Sequence, residues 1–79
     1  MSDSDTAPTR DQQIGSAIRR ARLSRAVTQA EVAAALGVTR PTIAQYESGR
    51  RPITVATLLR IAEYLQLPVT ALLPGDPPP

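Results

Sequence analysis

Through the middle of the chain apolar side chains return every three to four residues and alternation of period two is scarce, so the pattern predicts an all-helical fold. Ile14, Ile18 and Ala21 mark one stripe of a first helix spanning about Asp11 to Arg25, with Arg19, Arg20, Arg22 and Arg25 on its other faces. An acid at its start and arginines near its end suit the helix dipole. Thr28-Gln29-Ala30-Glu31 has the form of a capping box, in which the threonine accepts from the third helical amide and the glutamate reaches back to the cap amide. A second helix therefore starts at Gln29, turns Val32, Ala33 and Leu36 inward, and stops at Gly37, which tolerates the left-handed backbone of a helix end.

Only Val38 and Thr39 precede a third pattern, Arg40 to about Ser48, closed by Gly49. Two short helices joined so tightly must cross steeply, the arrangement of a helix-turn-helix. Pro41 suits a first turn but pushes its predecessor away from helical dihedrals, so either Thr39 caps and Arg40 is mildly strained, or Arg40 is itself the cap. Thr54 can cap a fourth helix from Val55 to about Gln66, with Leu58, Ile61, Ala62 and Leu65 at core spacing. Pro68 ends it or opens a fifth, Val69 to Leu73. The expectation is a compact bundle of five short helices over residues 11–74, between a disordered arm (1–10) and a proline-rich tail (75–79).

Composition removes most catalytic chemistry. The 79 residues include neither His nor Cys, so no Ser-His-Asp or Cys-His site and none of the common zinc sites can be built, and no cofactor or metal is expected. Charge is distributed unevenly. All nine basic residues are arginine, and from Gln12 to Leu73 eight Arg stand against three Glu, a net of +5. A planar guanidinium fork favours phosphate and guanine as partners. Codon bias in a GC-rich genome would equally explain the missing lysine. No stretch approaches the roughly 20 apolar residues that a bilayer requires, and the acidic start is unlike a signal peptide, so a cytoplasmic location is the default.

Together the run Thr28-Gln29-Ala30-Glu31-Val32-Ala33, then Leu36-Gly37-Val38-Thr39, Ile43, and Tyr46-Glu47-Ser48-Gly49-Arg50-Arg51-Pro52 resembles the lambdoid phage repressor, Cro and Xre group of DNA-binding domains. The likeness covers about Ile14 to Leu73. It implies a homodimer on double-stranded DNA with the third helix in the major groove and half-sites about one helical turn apart on a near-palindromic operator.

Carried onto this chain, the resemblance implies that Gln29 meets the DNA backbone and that Arg40, Thr42, Ala44 and Gln45 read bases. The side chains suit that role: Arg can fork onto guanine O6 and N7, and Gln onto adenine N6 and N7. Arg22 and Glu47 match a family pair that fixes helix three against helix one and aims the arginine at a phosphate. Arg50 and Arg51 match phosphate ligands after helix three, with Thr39 and Thr54 as weaker hydroxyl candidates. The chain departs from the family pattern at Ala26, where glycine usually ends helix one, and at Ala21, where a bulkier aliphatic is usual. Separately from the resemblance, Leu59, Tyr64, Leu67, Val69, Leu72 and Leu73 exceed what one thin core accepts, which suggests a two-fold interface at that end.

The leading expectation is therefore a sequence-specific, dimeric transcriptional regulator without enzymatic activity. Controller of a restriction-modification operon, small phage-type repressor and autoregulating antitoxin are the family roles that fit, with a toxin or polymerase as the possible protein partner. A protein-interaction module using the same fold without specific DNA binding is the alternative.

Overall fold

The computed structural model describes residues 7–75. It contains four α-helices, α1 (Arg10–Ser24), α2 (Gln29–Leu36), α3 (Arg40–Ser48) and α4 (Val55–Leu65), followed by a single 3-10 turn, Val69–Leu72. The all-helical expectation holds, but the fifth element is this 3-10 turn and not an α-helix. Four residues after Pro68 close only one turn, and Leu73 returns to extended backbone. The expected arm at 1–10 and tail at 75–79 lie largely outside the described residues. Inside them, Thr9 and Arg10 belong to the domain: Thr9 and Gln12 form a reciprocal capping box that starts α1 one residue earlier than the apolar pattern indicates.

Thr28 and Glu31 form the second capping box as expected, with bonds of 3.0 and 2.8 Å. Thr54 caps α4 by accepting from the Thr57 amide at 3.1 Å, which occupies the hydroxyl considered above for phosphate. At α3 the alternative is resolved. Thr39 is the N-cap residue and Arg40 the first helical one, but the Thr39 hydroxyl bonds Thr42 Oγ1 at 3.0 Å and caps no amide.

All four α-helices end in the same way. An amide two places beyond the last turn bonds back to a carbonyl five residues earlier: Val27 to Arg22, Val38 to Ala33, Arg50 to Gln45 and Leu67 to Ala62, at 2.9 to 3.0 Å. The closure requires a left-handed residue, supplied by Ala26, Gly37, Gly49 and Gln66 in turn. After three of these turns an aliphatic side chain, Val27, Val38 or Leu67, drops onto the core. After α3 the corresponding residue is Arg50, which is exposed, so there the chain leaves the core and stays at the surface.

Ala26 has φ 57°. A left-handed alanine costs about 1–2 kcal/mol, whereas glycine avoids that cost and gives up about 0.4–1 kcal/mol in unfolded-chain entropy. Ala26→Gly is therefore expected to stabilise the domain by roughly 1 kcal/mol, a rise in Tm of about 4–8 °C. Thermal denaturation followed by circular dichroism checks it, and an unchanged or lower Tm contradicts the account of this turn.

The core is aliphatic. Ile18, Val32, Ile43, Ile61, Leu65 and Leu72 are its fully enclosed side chains, contributed by all five elements. On α2 and α4 the inward residues are those that the periodicity selects. On α1 the buried stripe is Ile14, Gly15, Ile18 and Arg22, while Ala21 is half-buried beside it. Arg22 thus lies on the inner face and not among the outward arginines. Gly15 lets α1 touch α3, since a Cβ there would collide with the Tyr46 and Glu47 carbonyls. Leu72, expected at a two-fold surface, is wholly buried in its own chain's core, because the 3-10 turn folds back on α1 and α4 and points this side chain inward. No described helix is long and apolar enough to cross a membrane.

Candidate nucleic-acid interface

Helix α3 divides into two faces. Ile43 and Glu47, one turn apart, are buried, and Tyr46 packs partly against the core. On the opposite side Arg40, Pro41, Gln45 and Ser48 are exposed, with Thr42 and Ala44 half-buried at the flanks. The protruding face carries a guanidinium, a carboxamide and hydroxyls, the groups able to read hydrogen-bond patterns along the edge of a flat ligand.

A connected set of polar side chains holds this helix in place. Arg22 Nε donates to Glu47 Oε2 at 2.7 Å and Arg22 Nη2 to Oε1 at 3.1 Å, while Nη1 reaches the Val27 carbonyl at 2.8 Å. The side chains are only 8% and 4% exposed. Gln29 Nε2 donates to the same Glu47 Oε1 at 3.0 Å, and Arg40 Nη1 donates to Gln29 Oε1 at 3.0 Å. The network therefore runs from α1 through the end of α3 and the start of α2 to the exposed start of α3. Among the described residues no buried side-chain nitrogen or oxygen is left without a partner.

This arrangement bears on two of the expected assignments. Arg22, expected to aim at a phosphate, is instead enclosed and bonded to Glu47 and the Val27 carbonyl, which ties α1 to the end of α3. Gln29 is half-buried with one bond at each end of its amide, which makes it a link between Arg40 and Glu47 and leaves its second Nε2 hydrogen for a further acceptor. Thr39 is exposed and bonded to Thr42. Arg50 and Arg51 are both exposed in the turn after α3, and Arg51 Nε donates to Gln45 Oε1 at 3.0 Å.

Sequence reasoning missed Arg25, whose Nε donates to the Leu65 carbonyl and ties the end of α1 to the end of α4. The two residues are 40 apart, and no local pattern links them. At that end of the molecule Leu59, Tyr64 and Leu73 are exposed and Leu67 and Val69 partly so. A groove there is lined by Leu59, Arg60, Ala62, Glu63, Leu67 and Val69.

A helix-turn-helix family model matches residues 18–72, which include all of α2, α3 and α4. The chain belongs to the helix-turn-helix family. This helix-turn-helix chain is similar to the clp gene regulator ClgR from Corynebacterium glutamicum, with 26% identity over 84% of this chain and 86% of that one and a TM-score of 0.80. The restriction-modification controller protein C.AhdI from Aeromonas hydrophila shares the fold at 22% identity, with a TM-score of 0.74 over 78% of this chain and 94% of that one. HppE, in its Co(II) form with substrate, contains a similar domain at 30% identity and a TM-score of 0.78, but this chain covers only 37% of it. No curated protein matches the sequence. The family is one of DNA-binding transcriptional regulators, and the two neighbours matched over most of their length are named as a regulator and a controller.

Proposed function

We propose that the protein is a sequence-specific transcriptional regulator that binds a near-palindromic operator as a homodimer, with α3 in the major groove. The observation that carries this reading is the division of α3: its inner face is clamped by Ile43 and the Glu47 network, while its outer face holds out Arg40 and Gln45. In this role Arg40, Thr42, Ala44 and Gln45 face base edges, the first and last through bidentate bonds and Ala44 through contact with a thymine methyl. Arg50, and the Thr39 hydroxyl more weakly, meet phosphates beside them.

The dimer contact belongs to the opposite end, where Leu59, Tyr64, Leu67, Val69 and Leu73 form an apolar surface. Arg60 and Glu63 beside that surface carry opposite charges, so a two-fold axis can bring the arginine of one copy to the glutamate of the other. Such a regulator acts by occupying its operator and performs no chemistry. Whether it blocks or recruits polymerase depends on where the operator lies.

Gln45→Ala tests the base-reading face. Loss of one bidentate contact should weaken operator binding by about 1–3 kcal/mol per contact and relax preference at that base pair. Titration against operator duplexes varied at each position measures both. Unchanged affinity with unchanged preference removes α3 from the reading role.

A further inference from the structure

The turn after α3 is built so that it returns to Gln45. Gly49, with φ 78°, reverses the chain, and the amides of Arg50 and Arg51 then bond the Gln45 carbonyl at 3.0 and 3.4 Å. Ser48 Oγ donates to that same carbonyl at 3.1 Å. The turn is fixed from outside as well, because a Cβ on Gly49 would run into Gln12 of α1. With its backbone held in this way, Arg51 lies alongside the Gln45 side chain, and its Nε donates to Gln45 Oε1 at 3.0 Å. Arg50 makes no such bond and remains exposed beside it.

A glutamine carboxamide has two nearly isosteric orientations, related by a half-turn that exchanges oxygen and nitrogen. Adenine distinguishes them, since its N6 is a donor and its N7 an acceptor, so only one orientation makes both bonds. A guanidinium can only donate. It therefore accepts the oxygen-facing orientation of Gln45 and excludes the reverse, in which the Gln45 NH2 would oppose the Arg51 Nε–H. One lone pair of Oε1 is used, and the second remains for a base donor, with Nε2 free to donate next to it. The positive charge also polarises the amide and strengthens that outward N–H.

We propose that Arg51 is a positioning residue for sequence recognition: it locks the carboxamide of Gln45 in the orientation that reads adenine. This inference rests on Gln45 facing bases, as in the proposed function. It gives Arg51 a task different from that of Arg50, although both are exposed arginines in one turn.

The two roles of an arginine here have separable signatures. A phosphate ligand adds affinity to every duplex equally and steepens the salt dependence by about one unit of slope. A positioning residue changes the ratio between duplexes. The experiment uses the full chain, an operator duplex recovered from a randomised pool, and its variants at the base pair most affected by Gln45→Ala. Arg51→Met keeps the aliphatic stem and removes the guanidinium, and unchanged thermal denaturation certifies its fold.

Arg51→Met is expected to lower the preference for adenine over the other bases by about five-fold or more, the lower end of what one bidentate pair discriminates. In the Gln45→Ala background the same substitution should alter no preference. Equal weakening on all four base variants with a shallower salt slope overturns the proposal and makes Arg51 a phosphate ligand. If Gln45→Ala itself changes no base preference, the parent assignment falls, and the proposal with it. A loss of preference in Gln45→Ala that is absent in Arg51→Met overturns the positioning role alone.

Discussion

Glu47→Ala is expected to destabilise the domain by about 3–5 kcal/mol, the usual consequence of leaving one member of a buried ion pair without its partner. The carboxylate accepts two bonds from Arg22 and one from Gln29, and both charged side chains are almost entirely enclosed. Its removal strands a guanidinium held in place by the Val27 carbonyl and leaves Gln29 Nε2 without an acceptor. Small domains of this kind have only about 5–15 kcal/mol of stability in all. At about 4–8 °C per kcal/mol, Tm should fall by at least 12 °C.

Urea denaturation of Glu47→Ala gives the magnitude directly. Glu47→Leu combined with Arg22→Met should recover most of the loss, since an apolar pair of similar volume removes the stranded charge. That double variant should nevertheless bind operator poorly, because Gln29, which holds Arg40, would lose its anchor on Glu47. A loss below about 1 kcal/mol for Glu47→Ala would mean that the pair behaves as an exposed one and does not clamp α3.

Leu72→Ala is the second large effect. Leu72 is fully enclosed between the 3-10 turn, α1 and α4, and truncation of a buried leucine costs about 2–5 kcal/mol. The loss should be independent of protein concentration, because the cavity opens within a single chain. Tyr64→Ala and Leu73→Ala alter side chains that are 42% and 41% exposed, and in the monomer each should stay within about 0.5 kcal/mol. If they line the two-fold contact, their effect appears instead in the dissociation of the dimer, measurable by sedimentation at several concentrations. Leu72→Ala with full stability and weakened self-association would reverse these assignments.

Leu72 also shows where reading the sequence stops. The surplus of apolar residues after α4 is visible in the sequence, but which of them faces inward depends on the 3-10 turn folding back onto α1, a contact across more than forty residues. Arg22 is a related case. Its spacing from Ile14 and Ile18 places it on the inner stripe, yet an arginine reads as outward until the buried Glu47, 25 residues later, supplies its partner. That pairing came from family resemblance and not from periodicity.

Local rules worked where the controlling contacts are local. Both ends of α2 follow from Thr28, Glu31 and Gly37, and the inward residues of α2 and α4 follow from spacing alone. Thr9-Arg10-Asp11-Gln12 carries the same capping signal as Thr28 to Glu31 and was legible in the same way, although the apolar stripe alone places the start of α1 later. Gln66 gave no such warning: its left-handed turn accompanies the packing of Leu67 against the core. At the candidate interface the residue types were legible. Their mutual bonds, Arg40 to Gln29 and Arg51 to Gln45, arise only when the start of α2 and the turn after Gly49 are brought beside α3.

The most direct test of the central claim is selection of duplexes from a randomised pool by the full chain, sequenced after several rounds at two salt concentrations. Enrichment of a palindrome with half-sites about 10 bp apart, at an affinity that falls steeply with salt, is expected of a dimer reading the major groove through α3. Salt-sensitive retention without any enriched sequence would contradict it, leaving a basic surface that sees only phosphate. Absence of binding at both salt concentrations would contradict it more completely and turn attention to a protein partner.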